Sequence, residues 1–87
     1  MSMAAVLIEE PMDPTTRIAY NRLVRALGPR VGAQVCDETL LAMGLPALSS
    51  QNDVLAFANI LIEKGGAIES VGRALKISAI LRGATED

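Results

Sequence analysis

The chain has no histidine, no tryptophan, one cysteine (Cys36), and only Tyr20 and Phe57 as aromatic residues. Each shortage closes off a class of function. Without histidine, the commonest general acid–base group at neutral pH is missing. Zinc would fall to Cys36 and carboxylates, a poor ligand set, so no metal and no cofactor is expected. A lone cysteine allows no internal disulfide and suits a reducing compartment. No basic partner that would activate Cys36 is visible, so a buried structural thiol is expected. Scarce aromatics leave little on which the bases of single-stranded nucleic acid could stack.

Long apolar runs are absent too. Val54 to Ile62 is the densest stretch, at nine residues, well short of the ~20 that span a bilayer. Met3 to Ile8 is apolar, but no basic region precedes it and Glu9-Glu10 follows, so it does not read as a signal peptide. A cytoplasmic protein that neither crosses nor coats a membrane is the expectation. Catalytic spacing is missing as well. Asp37 and Glu38 are adjacent, which on a helix separates them by about 100° and makes no acid pair. Gly65-Gly66 and Gly72-Arg73 match neither a phosphate-binding loop nor a dinucleotide fingerprint. No enzyme is expected.

What remains is aliphatic. Hydrophobic residues make up 51% of 87 residues, and with so few rings the core must come from Leu, Ile, Val, Ala and Met, which favours helices over a sheet. Punctuation divides the chain into an all-α bundle of about four helices. Residues 1–12 form an arm (strand, short helix or disordered). Residues 13–83 form the helical domain, and residues 84–87 an acidic, frayed tail. Asp13 is a good N-cap with Pro14 in the first turn, and a helix runs to Leu27, stopped by Gly28-Pro29. A second helix spans Arg30 to Met43 and ends at Gly44. Ser50-Gln-Asn-Asp53 resembles a capping box, although Asp reaches back less well than Glu. It opens a third helix, whose stretch from Val54 to Ile62 is apolar except at Asn59. Gly65-Gly66 turns the chain into a fourth helix from about Ala67 to Arg82, capped by Gly83. Gly72 lies within that helix, where it costs about 1 kcal/mol relative to alanine and suggests a close helix crossing. No repeat with a period of 20–50 residues and no low-complexity segment is evident.

The stretch Gly66 to Ser78 loosely resembles the helix-turn-helix that closes Fis-type and response-regulator DNA-binding domains. That resemblance implies a DNA-binding transcriptional regulator with a degenerate helix-turn-helix in residues 51–83, and it stands as the alternative reading. It departs from the pattern at the turn, where Lys76 replaces glycine. The segment after it carries only Arg82 as a basic residue, too few for base and phosphate contacts, and a continuous fourth helix fits better.

The preferred reading follows from apolar excess. A chain of this length buries only about 60% of its extended surface. The third helix shows no polar face, three other short helices would have difficulty covering it, and the C-terminal αα-hairpin is too apolar for its size. The expected interface comprises Leu55, Phe57, Asn59, Ile60, Ile62, Ile68, Val71, Gly72, Leu75, Ile77 and Leu81. Asn59 would either fix register within the seam or face solvent. Five of ten acidic residues lie near the two ends, leaving a slightly basic body. Arg17, Arg22, Arg25 and Arg30 form a candidate face for a partner. The expectation is a regulatory or adaptor protein that forms a homodimer and binds another protein.

Overall fold

The computed structural model describes residues 13–85. The expected arm of residues 1–12 lies outside them, as do Glu86 and Asp87. Four helices follow one another: α1 (Pro14–Leu27), α2 (Pro29–Met43), α3 (Gln51–Lys64) and α4 (Gly66–Leu81). Among the described residues there is no strand, and no helix is long and apolar enough to cross a membrane.

Local chemistry sets each boundary. Asp13 is extended, and its Oδ1 accepts from the Thr16 N–H at 2.9 Å, with Pro14 filling the first helical position. The cap hydrogen bond from the Thr16 backbone holds the Asp13 carboxyl below its ordinary range, because an N–H donor stabilises the carboxylate. Gly28 alone links α1 to α2, at φ +93°, a region that disfavours other residues. Pro29 then opens α2 one residue earlier than expected. The Ser50 hydroxyl caps α3 by accepting from the Asp53 N–H at 3.1 Å. Asp53 does not complete a standard capping box. Its carboxylate accepts instead from the backbone N–H and hydroxyl of Ser49, at 3.0 and 2.9 Å.

The helices form two hairpins of the same plan, a capped helix, a one-glycine link and a slightly longer helix. The recurrence lies in caps and hinges rather than in residue identity, so no sequence repeat betrays it. Each hairpin closes over a second glycine. A Cβ on Gly32 would meet the Val24 Cα and N at 2.6 Å, and one on Gly72 would meet the Ala58 carbonyl oxygen at 2.8 Å and Leu61 Cβ at 2.9 Å. The helix crossing suggested by Gly72 is therefore that of α4 on α3.

Packing of α1 on α4 joins the hairpins. The two run antiparallel, with Thr15, Ile18 and Ala19 beside Leu75, Ser78 and Arg82, and Arg22, Arg25 and Ala26 beside Ala67, Ser70 and Ala74. Leu23, Leu48, Phe57, Leu61 and Leu75 are fully buried in a single core. Thr16 ties the loop between α2 and α3 to α1, its hydroxyl accepting from the Leu48 N–H at 2.8 Å and donating to the Leu48 carbonyl at 3.4 Å. Beyond α4, Ala84 is buried and Thr85 donates its N–H to Asn52 Oδ1 at 2.9 Å. Those two residues are docked on the domain rather than frayed as expected.

The structure changes two further expectations. α4 runs unbroken through Lys76, so the turn that the helix-turn-helix resemblance requires there is missing. The core also covers α3 more completely than its composition suggests, since Val54, Leu55, Phe57, Ala58 and Leu61 are all buried.

Candidate interaction surface

The sequence-derived interface residues divide into three sets. Leu55, Phe57, Val71, Gly72 and Leu75 are buried within this chain. They hold α4 on α3 and on α1 and belong to this chain's own core, Val71 alone also lining the groove between α1 and α4. Asn59, Ile60, Ile62 and Ile68 are half-buried, with Ile68 packed against the core. Ile77 and Leu81 are exposed, at 61% and 81%. Helix spacing alone put all of these together, because it cannot distinguish the α4 face that meets α3 from the opposite one.

The opposite face of α4 has its own order. Ala67, Ser70, Ala74, Ile77 and Leu81 are spaced alternately three and four residues apart, the pattern of a coiled-coil seam. All are exposed except the half-buried Ala74. The seam grades from small residues at its N-terminal end to large ones at its C-terminal end. Other exposed large apolar side chains are dispersed, with Val31 and Leu41 on α2, Ile18 on α1 and Ile80 on α4.

Where α4 meets α1, the small end of the seam becomes the floor of an open groove of about 370 Å³. Ala67, Ser70, Val71 and Ala74 line it from α4, and Arg22, Arg25 and Ala26 from α1. Two of the four arginines read as a partner face, Arg22 and Arg25, thus border an apolar floor. Both are exposed, and neither has an acidic partner among the described residues. Arg73, farther round α4, is paired with Glu69. Arg17 and Arg30 are exposed on other parts of the hairpin and do not line the groove. The groove was missed in the sequence because it belongs to two helices far apart in the chain. The signal available locally was the run of small residues Ala67, Ser70 and Ala74 on one α4 stripe.

Cys36 sits inside the bundle, and burial, followed by the neighbouring Asp37 charge, pushes its thiol up to about 11. That leaves almost no thiolate at neutral pH. Among the described residues no three His, Cys, Asp or Glu side chains gather to hold a metal ion. No family model, no curated protein and no solved structure matches the chain.

Proposed function

We propose that the chain is a non-enzymatic interaction module that self-associates through the outer face of α4 and offers the adjoining arginine-edged groove to a partner protein. One observation carries this reading: a regular seam on α4 that ends in two exposed large apolar side chains, Ile77 at 61% and Leu81 at 81%. Burying Ile77 and Leu81 against a second surface would contribute roughly 1.5–3 kcal/mol per side chain before association costs. The inward residues of α3 and α4 then serve to hold the hairpin rigid behind the seam.

Light scattering on the purified chain at tens of micromolar tests the proposal. A dimer is expected, with Ile77→Asp and Leu81→Asp each giving a folded monomer. Both sites are exposed, so the substitutions leave the core untouched. A wild-type chain that stays monomeric and yields no difference from Leu81→Asp counts against self-association.

A further inference from the structure

We infer that the groove between α1 and α4 is a docking site for an acidic, apolar peptide, and that residues 3–10 of this same chain occupy it. The inference rests on the groove's place at the interaction face proposed above, but the docking itself does not require that the chain dimerise.

Three observations converge. The first is chemical complementarity. The groove offers an apolar floor of Ala26, Ala67 and Ala74 with two arginines on its edge and no acidic partner for either among the described residues. Residues 3–10 read Met-Ala-Ala-Val-Leu-Ile-Glu-Glu, with a short apolar run and two carboxylates. The second is position. Asp13 begins at the end of α1 that lies beside Ser78 and Arg82, so the groove leads away from the point where the preceding chain joins the domain.

The third is reach. A helix rises about 1.5 Å per residue, which puts Arg22 roughly 13 Å along α1 from Asp13. An extended chain covers about 3.3–3.6 Å per residue, so the residues that precede Asp13 are long enough to reach the groove, with length left for the reversal of direction that this path needs. Docked there, the segment covers the small end of the α4 seam and competes with any partner for it.

A nitroxide label on Ala5→Cys in the full-length chain tests this. Native Cys36 is buried with its thiol raised, so the introduced cysteine takes the label. The expected result is loss of the Ala67, Ser70 and Ala74 amide signals in the isotope-labelled chain, with the α2 amides Gln34 and Glu38 unaffected. The same label on Ser2→Cys guards against disturbance of the docked residues themselves. Reversing Glu9 and Glu10 to Lys should restore those signals, and adding Arg22→Glu with Arg25→Glu should remove them again. Signal loss confined to residues next to the label overturns the inference. So does loss seen only when labelled and isotope-enriched chains are mixed, which would put another copy's segment in the groove. Repeating the experiment in Leu81→Asp separates the two proposals. A monomer that still shows groove broadening keeps this one, whatever becomes of self-association.

Discussion

The two hairpins share a plan but are closed by different means. In the first, Gly32 lets α2 lie directly against the backbone of α1, and a Cβ there would stand 2.6 Å from two main-chain atoms of Val24. In the second, Gly72 faces one carbonyl oxygen and two side-chain atoms, Leu61 Cβ and Ile62 Cγ1. Ile62 is half-buried and can turn aside, but the Ala58 carbonyl and Leu61 Cβ are fixed to the α3 main chain, so both joints resist a Cβ, the first at 2.6–2.7 Å through three backbone atoms and the second at 2.8–3.0 Å through one. The first hairpin is therefore the tighter joint, and it carries the two arginines that border the groove. The second is the more adaptable one and carries the exposed apolar seam. A rigid element beside a more forgiving one is what a groove between α1 and α4 needs in order to keep its shape while its α4 wall meets different surfaces.

Gly32→Ala should break this comparison most visibly. Overpacking at a backbone contact belongs at the upper end of the usual range, about 3 kcal/mol, which for a domain of this size lowers Tm by roughly 12–24 °C. Thermal unfolding followed by circular dichroism measures it. A smaller loss at Gly32 than at Gly72 would reverse the ranking of the two joints.

Thr16→Val comes next, because it attacks the link from the α2–α3 loop to α1 rather than either hairpin. Valine keeps the shape but leaves the buried Leu48 N–H without the acceptor it has at 2.8 Å, and an orphaned buried donor costs about 1–3 kcal/mol. Chemical denaturation should show a lower midpoint with an unchanged slope. No change would mean that water reaches Leu48 and that the loop contributes little.

Gly72→Ala should be milder, about 1 kcal/mol net. The clash with the Ala58 carbonyl is partly offset by the gain of roughly 1 kcal/mol when alanine replaces glycine inside a helix. Ile62→Ala costs its own burial, so any rescue shows as coupling: it should cost less beside Gly72→Ala than alone, because it makes room for the new methyl group. Failure of that rescue would show that the carbonyl, not the side chain, sets the limit.

Much of the fold was legible because its boundaries are written in local chemistry. Asp13-Pro14, Gly28-Pro29, Gly44, Ser50 and Gly65-Gly66 each act within a few residues of where they stand, and the helix ends fall there. The site was less legible, since it depends on which helices become neighbours. The apolar density of Val54–Ile62 pointed to a partner, yet those residues are largely satisfied at home. The surface left over is on α4 at Ile77 and Leu81, where the sequence shows an ordinary second stripe. Nothing in the local pattern of α1 says that Arg22 and Arg25 will border Ala67 and Ala74, and nothing near Ala84 says that it will be buried.

The smallest expected effect separates the hairpins by their caps. α1 is capped by a carboxylate and α3 by the Ser50 hydroxyl, which does not titrate. The Asp13 carboxyl is held below the ordinary aspartate range by the Thr16 N–H. A depressed folded-state value means stability that is present above the unfolded value and is lost as pH falls through the folded one. Acidification from pH 5 to below that value should therefore fray the first turn of α1 while the Ser50 bond persists. Amide exchange at Thr16 should rise relative to exchange at Asp53 over that window, and Asp13→Asn, which still offers an oxygen to the Thr16 N–H, should remove the Thr16 pH dependence. Equal acid sensitivity at both helix starts would show that the acid response of α1 does not come from the Asp13 cap.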